Sequence, residues 1–348
     1  MRACGRHVRP ELGVGRQASG IGRRASAVGV GGGVGGRFYG GGMSDHAEPD
    51  TARLRGARWA VTGAAGRIGV HLRTALHELG VELVSTDVVE VPRVADVADA
   101  AADAASVRGT DAAAEAVAPE RREVVDVADL EALTELFTGC VGVVHLGGLS
   151  DEADFHDLAT VNVVGTYHVL EAARRAGVGR VVFASSNRLT GSYDTDTVVD
   201  VGMTPRPDGF YGVSKVAGEA LCRLYSDKFG LSTIALRIGS WGEAPEDTRH
   251  LHTWLSRPDA VRAFVAAMTT DVHAAVFYAV SANAEGWWDL AAGEAVGYHP
   301  HDDASVAAEG PLPEPTAEGV APTEPGTTGG PQGGPFASAA FSLDRMTR

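Results

Sequence analysis

The sequence predicts an α/β fold: a doubly wound parallel sheet of the Rossmann-like kind, followed by a small C-terminal lobe. Three features predict it. From residue 58 onward, short apolar runs alternate with helical stretches. A glycine loop, Val61-Thr-Gly63-Ala-Ala-Gly66-Arg-Ile-Gly69, stands where the first apolar run hands over to the first helix. An acidic residue, Asp87, closes the next apolar run about 20 residues further on.

Taken in order, 58–62 reads as a strand, 67–79 as a helix, 81–86 and 123–125 as strands, 130–137 as a helix and 142–146 as a strand. A helix over about 158–176, a strand at 180–185, a helix from about 210 to 229 and a strand at 232–237 continue the rhythm. Strands buried on both faces of a parallel sheet are apolar throughout, and Val141-Gly-Val-Val-His-Leu146 has that character. Asp129, just before the 130–137 helix, reads as its N-cap.

At 348 residues and 44% hydrophobic content, the chain can bury one large core or two modest ones. The flanks are different. Residues 1–42 hold fourteen Gly and seven Arg against one Glu, with no periodic apolar face, and are expected to be a disordered extension running to about residue 54. They lack the amphipathic pattern of a targeting peptide, and Met43 opens a more ordinary sequence. The Ala/Asp/Val stretch from 95 to 119 reads as a mobile insert. The folded domain is expected over 55–310, with the substrate lobe from about 240, and 311–348 as a Pro/Gly-rich tail docked through Phe336 and Phe341.

The net charge of −15 falls to −21 once seven Arg and one Glu of the extension are set aside, so a nucleic-acid backbone is repelled and no nucleic-acid partner is expected. An anionic small molecule needs a local cation. No apolar run reaches the roughly 18 residues that span a bilayer, and the three scattered Cys suit a reducing compartment, so a cytoplasmic protein without membrane contact is expected. The twelve His form no recognised metal-ligand spacing, and His250-Leu-His252 and His299-Pro-His301 read as solvated.

The glycines Gly63, Gly66 and Gly69 let a backbone approach a pyrophosphate at a helix N-terminus. Asp87 accepts adenosine ribose hydroxyls and repels a 2′-phosphate, favouring NAD over NADP. Asp126 ends the third strand, within reach of an adenine amino group, and Leu146-Gly147-Gly148 ends the fourth with small residues that permit backbone contact to a cofactor. Tyr211-Gly-Val-Ser-Lys215 puts a phenol and an ammonium on one helix face, where the cation can stabilise a phenolate base. Ser186, at the end of the fifth strand, can hydrogen-bond the reacting hydroxyl.

In this order and spacing, Gly63-x-x-Gly66-x-x-Gly69, His145-Leu146-Gly147-Gly148, Asn162, Ser186 and Tyr211-x-x-x-Lys215 resemble the extended short-chain dehydrogenase/reductase family over about 56–240. The resemblance implies Ser186, Tyr211 and Lys215 as the catalytic set, with Asn162 supporting a proton relay. Arg67, Ile68, Val127 and Ile238 complete the expected NAD-binding set. Phe183-Ala-Ser-Ser-Asn187, Arg206-Pro-Asp-Gly, Arg237-Ile-Gly-Ser240, Arg249, Thr253-Trp254 and Ser281-Ala-Asn283-x-x-Gly-Trp-Trp-Asp289 extend it to the uronate dehydrogenases within that family.

That narrower resemblance implies oxidation of the anomeric carbon of galacturonate or glucuronate to an aldarolactone, with substrate contacts from Ser150, Ser186, Asn187, Tyr211, Ser240 and Arg249; Arg188, which is not the family's residue, is expected beside them as a further carboxylate contact or a change in substrate preference. It also implies a homo-oligomer. Arg249 offers a planar fork suited to a carboxylate, or else pairs with Glu243, Glu246 or Asp247. Arg188 departs from the family, which usually has His after Ser-Ser-Asn; the extension and the 95–119 insert are further departures. The rival readings are a nucleotide-sugar epimerase or dehydratase, for which about 100 residues after Tyr211 leave little room, and an NAD-sensing protein without turnover.

Overall fold

The computed structural model describes residues 50–94, 118–317 and 329–346. Residues 1–49 of the expected extension and 95–117 of the expected insert lie outside the described residues; residues 50–54, expected to be disordered with the extension, instead form a 3-10 turn, Thr51–Arg53, and bury Leu54 in the core, so the folded domain begins earlier than 55.

Seven strands form one parallel sheet in the order β3-β2-β1-β4-β5-β6-β9: β1 Arg58–Thr62, β2 Glu82–Asp87, β3 Glu120–Val124, β4 Gly142–His145, β5 Arg180–Ser186, β6 Ser232–Ile238 and β9 Ala274–Ala279. Two short strands, β7 Ser240–Trp241 and β8 Trp254–Leu255, pair separately. The order reverses between β1 and β4, the switch point where ligands of such sheets bind beyond the strand C-termini.

Alternating strand residues feed two cores, as the period of two requires. Val61, Val144, Val182, Ile234 and Leu236 pack with Leu72 and Leu76 of α1 (Arg67–Glu78) and Phe264 of a later helix, Arg257–Thr269. Their neighbours Ala60, Val143, Val181, Phe183 and Ala235 pack with α2 (Leu130–Phe137), α3 (Gly165–Arg175) and α4 (Phe210–Phe229). Asp129 caps α2 through Ala132 N, as expected. The left-handed Gly230, φ 70°, stops α4.

The structure departs from the sequence reading in four further places. β3 starts at Glu120, not Glu123: it is an edge strand, and its alternating charged residues hide the apolar signal. The single helix expected over 158–176 is a short turn, Phe155–Leu158, then a π-helical stretch, Ala159–Val164, then α3. The region after 240 is divided, because Arg257–Thr269 and β9 return to the main sheet. Beyond 329 the chain is not an extended tail. Gln332 and Phe341 are buried, a 3-10 turn covers Gly334–Ala337 and a short helix Ala339–Leu343. The docking expected of Phe336 and Phe341 is what the structure has: the two rings pack edge to face at 5.2 Å.

Candidate active site

At the switch point, the backbone does what side chains could not. Gly63 has φ +68°, and a Cβ there would sit 2.6 Å from Gly147 N. A Cβ on Gly69 would meet Gly63 O at 2.2 Å, so α1 can start against the loop only with glycine. Fully buried Arg73 reaches back from α1 to donate to Ala64 O and pairs with Glu120 at 2.7 Å, fixing the loop from beneath. Asp87 accepts from Ala65 N and Val88 N, which orients its carboxylate at the end of β2.

A cavity of about 770 Å³ runs from this loop across the sheet ends. Gly63, Gly66, Arg67, Ile68, Gly69, Asp87, Asp126, Val127, Leu146, Gly147, Gly148 and Ile238 line it, as do Ser150, Ser186, Asn187, Arg188, Tyr211, Lys215, Ser240 and Arg249. Asn162 is the exception among the residues expected at the site. Held in the π-helical stretch, its carboxamide accepts from Leu149 N and donates to Leu149 O and Ser214 Oγ. It thus clamps the loop after β4 to α4 from behind the cavity.

Helix α4 carries Tyr211 and Lys215. Its N-cap, Gly209, has no side chain to satisfy the first amides, and Glu152 does so from 58 residues upstream, accepting from Phe210 N and Tyr211 N. Lys215 Nζ donates to Ala184 O at 2.9 Å and lies 5.6 Å from the Tyr211 ring centroid, so the two side chains share one face.

Burial pushes Tyr211 up to about 12, while hydrogen bonding to Ser186 and then the charge of Arg188 pull it back. Burial also lowers Lys215 to about 8. The expectation that Lys215 makes the phenol acidic is not met among the protein groups: desolvation dominates both residues, and the cation acting on Tyr211 is Arg188.

The sugar end is built around two arginines. Arg249 is 8% exposed; Nε donates to Gln332 O at 2.8 Å and Nη1 to Ser240 Oγ at 3.3 Å. Among the described residues it has no carboxylate partner, so the alternative of a surface pair with Glu243, Glu246 or Asp247 is not what forms. Burial lowers it to about 10. Arg188 pairs with Asp208 at 2.6 Å. Asp208 Oδ2 packs against Gly191 and Gly333, where a Cβ would approach within 2.1 Å and 2.6 Å, so the C-terminal segment closes over it through glycine. Phe336 covers both guanidiniums, its ring centroid 4.8 Å from Arg188 Cζ and 5.7 Å from Arg249 Cζ.

Sequence reasoning missed Glu152, Asp208, Gln332 and Phe336 as parts of this site. The uncapped Gly209 was a signal for an outside acceptor; nothing local marks the other three. His145 is buried and lowered to about 3 by burial, with its ring nitrogens hydrogen-bonded to Thr62 Oγ1 and Thr166 Oγ1. No group of three or more His, Cys, Asp or Glu that could hold a metal occurs among the described residues.

Residues 59–257 match the model of the NAD dependent epimerase/dehydratase family. The chain belongs to that family. Within the family it is 36% identical over 251 residues to uronate dehydrogenase of Pseudomonas syringae pv. tomato, covering 72% of this chain and 83% of the relative. Uronate dehydrogenase of Pseudomonas putida is 35% identical over 265 residues, covering 75% and 91%. Among solved structures of the family, glucuronic acid dehydrogenase from Chromohalobacter salexigens superposes with a TM-score of 0.67 at 35% identity, covering 83% of this chain and 99% of that one. An Agrobacterium tumefaciens uronate dehydrogenase variant complexed with NAD superposes at 0.65 with 34% identity, covering 82% and 98%.

Proposed function

We propose that the protein oxidises C1 of a pyranose hexuronic acid, galacturonate or glucuronate, to the aldarolactone with NAD. The observation that carries this reading is Arg249: a buried guanidinium without a carboxylate partner among the described residues, on the same cavity as the Tyr211 and Lys215 face. A buried cation without an anion is unfavourable unless a ligand provides one. The similarity to uronate dehydrogenases supports the same substrate class.

The glycine cradle, the oriented Asp87 carboxylate and Lys215 fit a dinucleotide: Gly63, Gly66 and Gly69 would take its pyrophosphate and Asp87 its adenosine ribose. NAD supplies the hydride acceptor when bound. The protein's work is on the proton and on position. Tyr211 Oη would take the C1 hydroxyl proton, and Ser186 Oγ would donate to the oxygen becoming a carbonyl. Arg188 provides the positive charge that offsets the phenolate, and Lys215, held at Ala184 O, would hold the nicotinamide ribose. Arg249 anchors the carboxylate, with Ser240, Ser150 and Asn187 placed for sugar hydroxyls. Assembly into a homo-oligomer is part of the reading; the molar mass in solution tests it.

The deciding experiment supplies NAD with galacturonate, glucuronate or a UDP-sugar and follows NADH absorbance. NADH formation with the uronates and none with the UDP-sugar is expected. Turnover of the UDP-sugar alone, or of neither class, would remove the proposal.

A further inference from the structure

Arg188 has a donor that the reaction above leaves unused. Its side chain is 10% exposed; Nε is committed to Asp208 Oδ1 and Nη1 lies 3.4 Å from Asp151 Oδ1, whereas Nη2 is buried with no acceptor among the described residues. A guanidinium has no acceptor lone pair and cannot shed its proton, so a buried N–H of this kind needs an outside oxygen. The group is not free to search for one. The rings of Phe336, Phe341 and Tyr211 surround Cζ at 4.8, 5.5 and 5.9 Å, and Asp208 pins it from the fourth side. Arg188 lines the cavity and its own backbone N–H donates to Ser186 Oγ, so the guanidinium rises from a residue tied directly to the one that meets the reacting oxygen.

We propose that Arg188 is a specificity-determining residue whose Nη2 donates to the hydroxyl on C2, next to the carbon that is oxidised; the proposal rests on the hexuronate reading. The division of labour follows from charge. Arg188 is already matched by the Asp208 carboxylate, and what it has left is one N–H suited to a neutral acceptor. Arg249 is the guanidinium without a carboxylate, so the acid group belongs there. With the C1 oxygen between Tyr211 and Ser186, a group anchored beside Ser186 and Tyr211 meets the adjacent oxygen first.

The test compares galacturonate with 2-deoxy-galacturonate on the wild type, Arg188→Met and the charge-neutral double variant Arg188→Met/Asp208→Asn. The double variant keeps the test decisive if the single one fails to fold around an unpaired Asp208. The wild type is expected to lose about 10- to 100-fold in kcat/KM when the C2 hydroxyl is removed, the span for one hydrogen bond to a charged donor. Removing the Arg188 charge beside Tyr211 slows both sugars, but the variants are expected to lose the discrimination itself, turning over galacturonate and the 2-deoxy sugar at the same kcat/KM. Variants that still discriminate as the wild type does overturn the assignment. So does a penalty that persists on the 2-deoxy acid but vanishes on neutral galactose, which would make Arg188 a carboxylate ligand. A wild type inactive on every uronate is a different failure: it removes the hexuronate reading itself.

Discussion

Replacing Arg249 by Met keeps the stem and removes the charge. Because its Nε and Nη1 are taken by Gln332 O and Ser240 Oγ, the donors left for a substrate carboxylate are few but fixed and desolvated. Truncating one partner of such a buried charge pair costs about 2–5 kcal/mol. At about 3 kcal/mol, the Michaelis constant for galacturonate rises roughly 100-fold, since each 1.4 kcal/mol is about tenfold. Stability should move differently. A cation that burial lowers to about 10 disfavours folding, so its removal offsets the loss of a donor to the Gln332 carbonyl, worth about 1 kcal/mol. The variant should therefore melt within a few degrees of the wild type. Initial rates at saturating NAD over a range of galacturonate, with neutral galactose as control, provide the assay. An unchanged Michaelis constant for the acid, or an equal rise for galactose, would refute the role given to the guanidinium.

Burial raises Tyr211 to about 12 and lowers Lys215 to about 8, so at neutral pH the phenol holds its proton. kcat/KM should therefore rise with pH across about 7 to 10 as the phenolate fraction grows; a profile flat over that range contradicts this. Asp87→Ser removes the carboxylate oriented by Ala65 N and Val88 N, and the preference for NAD over NADP should fall at least about tenfold, read from kcat/KM for each cofactor. Phe336→Ala strips one face from both guanidiniums; at about 0.5–2 kcal/mol per cation–π contact, the acid's Michaelis constant should rise about tenfold with NAD affinity unchanged by calorimetry.

How far the sequence reaches is uneven, and the reasons are physical. The glycine loop, the β2 carboxylate and α4 were legible because each rests on local rules: a forbidden Cβ, a strand end, a helical period. The edge strand β3 was misplaced because an edge needs charge rather than apolar residues. Asn162 could be located by resemblance, but its job as a clamp depends on a π-helical stretch that periodicity does not reveal. The wall of the sugar end comes from residues over 80 positions after Arg249, and only tertiary closure shows that Gln332 and Phe336 belong there. The acidity of Tyr211 was misjudged for a related reason: spacing shows which cation is near in sequence, while burial and the approach of Arg188 are properties of the folded chain.

The most direct measurement is NADH formation from galacturonate by Tyr211→Phe, alongside NAD binding by the same protein. Loss of about 10²- to 10⁴-fold in kcat with NAD affinity intact is expected if the phenol takes the C1 proton. Wild-type turnover by the phenylalanine variant would contradict it.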